Sequence, residues 1–186
     1  MNSSRQGKAF EQLVMPHMDA AFNLARWLCG NRQDVEDVTQ EALLRAYRFF
    51  DALRGDNPRS WLLKIVRNTY YSQWRRARRH DESTEFDEDV HCDAEDRRGD
   101  PAFIVSLSQD ARRLDAAIAE LPVEYREALV LREIEDLSYR EIAETLEVPM
   151  GTVMSRISRA RGLLAQRFGT GEISSARFAS SRVQSA

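Results

Sequence analysis

Cysteine is scarce in this chain: two residues, Cys29 and Cys92, among 186. Two cysteines exclude a disulfide framework and a cysteine-rich zinc quartet. Glycine and proline are also few, at 8 and 5. With apolar residues recurring at helical spacing throughout, that scarcity predicts an all-α fold. No apolar run approaches the roughly 18 residues that a membrane span needs. The opening MNSSRQGKAFEQL lacks the apolar core of a signal peptide. The sequence therefore predicts a soluble, cytoplasmic protein. There is no Gly-rich phosphate loop, no nucleophile elbow and no pair of helical His-Glu motifs, so neither a catalytic centre nor a cofactor is predicted. His80, His91 and Cys92 lie near acids but match no zinc spacing, and no metal site is predicted.

What the chain has in quantity is charge, unevenly placed. Charged residues make up 31% and hydrophobic ones 42%, which suits a globular protein of one ordinary domain or two small ones. The net charge is −3, yet Asp81–Asp100 holds ten acids and two arginines, a net of −8. The rest of the chain is therefore at +5. From Arg59 to Arg79 there are seven Lys/Arg and no acid. Such segregation can hide a nucleic-acid footprint, because binding depends on local charge rather than pI.

Helix signals follow one another along the chain. Phe10, Leu13, Val14, Met18, Phe22, Ala25 and Leu28 share a helical period that Pro16 interrupts, which predicts a kink or two short helices. Asp34, with Asp37 three residues on, predicts the start of a second helix with the core face Val35, Val38, Ala42, Ala46, Phe49 and Leu53. Its opposite side presents Asp37, Gln40, Glu41, Leu44, Arg45 and Arg48. Asn57 is a good N-cap, and Pro58 suits the first position of a helix running to about Arg79. Trp61, Leu62, Ile65, Val66 and Thr69 are its expected core face, extended by Tyr70. After the acidic stretch, Leu114, Ile118 and Leu121 mark one helix and Ala128, Leu129 and Ile134 another. Ser138 and Glu141 form a capping box before Ile142, Ala143 and Leu146. A tight Val148–Gly151 connection leads to a last helix with Val153, Ile157, Ala160 and Leu164 inside.

Two surfaces suggest chemistry. A short helix, a tight turn and a cationic helix make a helix-turn-helix pattern. Met150–Phe168 carries four Arg and no acid, and Thr152, Ser155, Arg156 and Arg159 are expected to face outward where base edges are read. Upstream, Asn68, Tyr71 and Trp74 stand among Arg67, Arg75 and Arg76. Aromatics stack on unpaired bases while cations hold phosphates, so this surface favours opened DNA.

In their order, DVEDVTQEALLRAY, PRSWLLKIVRNTYYSQWRR and LPVEYREALVLREIEDLSYREIAETLEVPMGTVMSRISRAR resemble an extracytoplasmic-function sigma factor over about 130 residues. The resemblance implies two small helical domains joined by an acidic flexible linker, the C-terminal one a helix-turn-helix. The expected layout is residues 1–80, a linker over 81–106, a helix-turn-helix domain over 107–168 and a disordered tail over 169–186. It implies that Asp37, Gln40, Glu41, Leu44, Arg45 and Arg48 dock on core RNA polymerase. It implies minus-ten contacts from Asn57, Arg67, Asn68, Tyr71, Trp74, Arg75 and Arg76, with Asn68 in the family's Val-Asn-Thr-like motif. Thr152, Ser155, Arg156 and Arg159 would read the minus-thirty-five element. An anti-sigma factor is an implied partner. Met154 and Ser158 depart from the basic and aromatic or His residues that the family often has there. The acidic linker reads either as a nucleic-acid mimic or as a solvated spacer. Two other readings compete: a stand-alone helix-turn-helix regulator, and a metal-dependent nuclease whose clustered carboxylates would need an ordered scaffold.

Overall fold

A computed structural model describes residues 2–53, 57–81 and 109–168. All regular structure among them is helical. The N-terminal bundle contains α1 (Asn2–Leu13), α2 (Met18–Leu28), α3 (Arg32–Arg48) and α4 (Pro58–Asp81). The C-terminal bundle contains α5 (Gln109–Ala119), α6 (Val123–Glu133), α7 (Tyr139–Leu146) and α8 (Met150–Phe168). The acidic stretch beyond Asp81 and the tail beyond Phe168 lie outside the described residues, as do the expectations placed on them.

Pro16 sits in a 3-10 turn, Met15–His17, that separates α1 from α2, as its missing amide donor requires. α3 starts earlier than expected. Its N-cap is Asn31, whose side chain accepts from the Asp34 amide at 2.9 Å. Asp34 is thus a first-turn acid rather than the cap, well placed against the helix dipole. Val35, Val38, Ala42 and Ala46 are buried as expected. Phe49 is not: it follows the last turn and is 61% exposed. Leu13 and Met18 are exposed too, since they flank the 3-10 break where the helical period is reset. Phe10 fills the gap, meeting the rings of Tyr47 and Phe50 edge-on at 5.3 and 5.6 Å.

α4 begins at Pro58 with Asn57 as cap, the Ser60 amide donating to Asn57 Oδ1 at 3.0 Å. Leu62, Leu63, Val66, Thr69 and Tyr70 are buried along it, while Trp61 and Ile65 are half-buried. The Thr69 hydroxyl donates to the Ile65 carbonyl at 2.8 Å, so a buried polar group stays satisfied.

In the C-terminal bundle the expected capping box is present. The Ser138 amide donates to Glu141 Oε2 at 2.7 Å, and the Glu141 amide to Ser138 Oγ at 3.3 Å. α7 closes on Glu147, in the left-handed region at φ 57°. The Val148 amide reaches back to the Ala143 carbonyl at 3.2 Å, a helix stop more often built on glycine. α8 then packs Val153, Ile157, Ala160 and Leu164 inward. The two bundles touch, with α2 against α6 and α4 against α7.

Candidate nucleic-acid and polymerase interfaces

The residues expected to dock on a partner lie on one side of α3. Asp37, Gln40, Leu44 and Arg48 are exposed, and Glu41 and Arg45 half-buried. Arg45 Nε donates to Glu41 Oε1 at 2.7 Å, an i,i+4 pair. Leu44 is 49% exposed, and Tyr47 and Phe49 extend the apolar surface beside it. Charges framing exposed Leu and Phe make a surface suited to a protein partner.

The upstream face of α4 divides into two halves. Asn68 at the middle of the helix and Arg75 and Arg76 in its second half are exposed. Trp74 is half-buried with the Arg78 guanidinium 4.4 Å from its ring centre. This half is available to a strand of nucleic acid. The first half, with Tyr71 just beyond it, is already engaged by acids of the C-terminal bundle. Arg59 pairs with Glu135, Lys64 Nζ lies 2.8 Å from Glu147 Oε1, and Arg67 Nε lies 3.0 Å from Glu127 Oε2. Asn57 Nδ2 donates to Glu141 Oε1 at 2.6 Å. The cap of α4 and the capping box of α7 therefore share one carboxylate. Ser138 hydrogen bonds hold the Glu141 carboxyl below the usual range, with Asn57 adding to the effect.

Glu127 is the centre of this contact and was not among the residues singled out from the sequence. It is 1% exposed. Its Oε2 accepts from Arg67 Nε at 3.0 Å and from the Tyr71 hydroxyl at 3.2 Å. Its Oε1 accepts from Arg67 Nη2 and from Arg156 Nη1, both at 3.4 Å. A carboxylate has about four acceptor positions, and all are used here. Burial pushes the carboxyl up, and Arg67 and then Arg156 oppose that shift. Burial, with Glu127 beside it, also raises the Tyr71 hydroxyl, keeping it a proton donor. Arg67 stacks on Tyr71, its guanidinium 4.8 Å from the ring centre.

α8 is less free than its sequence suggested. Ser155 and Arg159 are exposed, whereas Thr152 and Arg156 are half-buried. Arg156 is turned to Glu127, Arg161 pairs with Glu133 and Arg167 with Glu120. Three of the four α8 arginines are therefore paired with acids of their own bundle. Arg159 has no ion pair among the described residues, and its Nη1 lies 3.3 Å from the Tyr125 hydroxyl. Met150 and Met154 are also exposed, at 53% and 51%. Arg126, another buried side chain that no local sequence signal marks, donates from Nη1 to the Ala119 carbonyl at 3.1 Å and so closes the end of α5.

Comparisons with known proteins follow the same division. A Sigma-70 region 2 model matches residues 13–80, and a Sigma-70, region 4 model matches residues 111–164. The chain is 38% identical over 153 residues to the ECF RNA polymerase sigma factor SigE of Mycolicibacterium smegmatis, covering 82% of this chain and 59% of that protein. It is 35% identical over 167 residues to the ECF RNA polymerase sigma-E factor of Haemophilus influenzae, covering 86% and 87%. Among solved structures it resembles the sigma factor RpoE in complex with the anti-sigma factor NepR from Bartonella quintana. That match has a TM-score of 0.70 and 30% identity, covering 88% of this chain and 99% of that one.

Proposed function

This chain belongs to the extracytoplasmic-function sigma factors of bacterial RNA polymerase, and we propose a division of labour among its exposed side chains. As a sigma factor it binds core polymerase, recognises promoter DNA and promotes initiation. The exposed side of α3, centred on Glu41, Leu44 and Arg45, is the polymerase-docking face. The open half of α4 takes the unpaired minus-ten strand, Asn68 bonding a base edge, Trp74 stacking, and Arg75 and Arg76 holding phosphates. In α8, Ser155 and Arg159 reach the minus-thirty-five duplex, and Arg156 orients the helix from behind. Domain limits at residues 80, 106 and 168 follow from this assignment. The chain supplies no catalytic group of its own; bond formation belongs to the polymerase. Among the described residues no helix is long and apolar enough to cross a membrane, and a cytoplasmic location goes with the work proposed. A protein anti-sigma factor as partner is supported by the complex seen for the Bartonella relative.

The observation carrying this reading is that each bundle leaves exposed cations on the helix assigned to DNA, Arg75 and Arg76 in the first and Arg159 in the second, although the chain as a whole is acidic. A stand-alone regulator would need only the second face. The test is transcription in vitro with core polymerase on a promoter library, beside co-sedimentation with core. Promoter-dependent transcripts are expected only when core and the chain are both present. DNA binding with no core association would leave the stand-alone regulator.

A further inference from the structure

We propose that Glu127 is a built-in stand-in for DNA phosphate, masking the minus-ten helix by occupying Arg67 and Tyr71 while the two bundles are closed. The inference rests on the assignment of α4 to the minus-ten strand. Arg67 meets Glu127 through two nitrogens, at 3.0 and 3.4 Å, and a guanidinium fork grips carboxylate and phosphate in the same way. The Tyr71 hydroxyl is spent on the same carboxylate at 3.2 Å. The Arg67 side chain is only 17% exposed. A DNA strand cannot reach this edge of α4 until α6 moves away. Glu127 and a backbone phosphate therefore compete for one site.

Arg156 makes the exchange feasible. It belongs to the same bundle as Glu127 and lies 3.4 Å from its Oε1. When the bundles part, Arg67 and Tyr71 leave but Arg156 stays. In the opened form Glu127 thus keeps one cationic partner from its own bundle. Arg156 is in this sense a positioning residue: it aims Glu127 at α4 in the closed form and shelters it in the open one. The flanking pairs Arg59–Glu135 and Lys64–Glu147 hold the same surfaces in register.

The test uses the full chain without polymerase. Dyes on cysteines introduced at exposed Gln33 and Gln166, with Cys92→Ser, report the distance between bundles. A short fluorescein-labelled single-stranded DNA of random sequence reports binding. Glu127→Gln, which keeps the shape and removes the charge, is expected to lengthen the dye distance. It is expected to tighten DNA binding roughly three- to tenfold, the reciprocal of an open fraction between about a third and a tenth. Adding Arg67→Ala should abolish that gain. An unchanged dye distance overturns the clasp and leaves the minus-ten assignment standing. Opening without tighter binding overturns the masking. A gain that survives Arg67→Ala overturns the assignment of Arg67 as a DNA ligand, and the masking with it. Circular dichroism checks the fold. Should Glu127→Gln lose helix, Glu135→Gln with Glu147→Gln removes the flanking pairs and leaves Glu127 in place. That pair of changes is expected to open the bundles and tighten DNA binding likewise, and failure of either result overturns the proposal.

Discussion

Ser138 and Glu141 exchange two hydrogen bonds at the start of α7, so the effect of removing either is calculable. Ser138→Ala should destabilise the C-terminal bundle by about 1 kcal/mol, read by urea unfolding at neutral pH. The cap has a pH signature as well. Ser138 holds the Glu141 carboxyl below its ordinary value of 4.5 in the folded chain. A lowered acid contributes stability that is present above the unfolded value and lost as pH falls through the folded one. Stability should therefore drop more steeply below about pH 4.5 in the native chain than in Glu141→Gln. Parallel curves would show that the carboxylate charge adds nothing to the cap. Trp74 makes a second residue-level case. Its ring carries Arg78 at 4.4 Å, and stacking is worth roughly 1–3 kcal/mol per base. Trp74→Ala and Asn68→Ala should bind polymerase normally yet form few open complexes on duplex promoters. Permanganate footprinting of unpaired thymines reads the loss, and wild-type opening by both would confine this half of α4 to packing.

Helix by helix, α3 and α8 give contrasting expectations. On α3, replacing Glu41 and Arg45 together with Ala removes one i,i+4 pair, worth about 0.3–0.5 kcal/mol to the helix. The fold should survive while affinity for core polymerase falls, and unchanged affinity would move the docking face elsewhere. On α8 the two arginines expected to face outward, Arg156 and Arg159, separate. Arg159→Ala should lower upstream-element selectivity at little cost in stability. Arg156→Ala should instead cost about 1–3 kcal/mol, because buried Glu127 loses a partner. Equal stabilities for the two, by thermal unfolding, would contradict this separation. The helices themselves were legible from the chain. Periodicity, Pro16, Asn57 and the Ser138–Glu141 spacing are local signals, and they located α2, α4 and α7 well. The site was less so. Helical spacing places Arg156 on an outward arc of α8, but whether that arc meets water or α6 depends on tertiary packing. Glu127 escaped for the same reason. Within YREALVLRE it looks like any helix-surface acid, and only folding brings Arg67, sixty residues away, to its side.

At the scale of the whole molecule, the contact between bundles has a polarity. The cations come from α4, as Arg59, Lys64 and Arg67, and the carboxylates come from the C-terminal bundle, as Glu135, Glu147 and Glu127. Asn57 and Asn23 add neutral donors from the same N-terminal side, to Glu141 and Glu135. An acidic surface thus lies on a helix whose other half carries the exposed cations Arg75 and Arg76.

Counterions give that polarity a measurable consequence. Lys64 and Glu147 have side chains 38% and 58% exposed, so salt screens them, over a Debye length of about 8 Å at physiological strength. Single-stranded DNA binding also weakens with salt, with a slope of about −0.7 per phosphate contacted. In the free chain these two effects oppose each other, because ions that loosen the closed form also compete for the strand. Wild-type binding should therefore fall less steeply with salt than binding by Glu127→Gln, which starts open. Titrations between about 50 and 200 mM salt would show it as two converging lines. Parallel lines would mean that the closed form does not respond to ions at all.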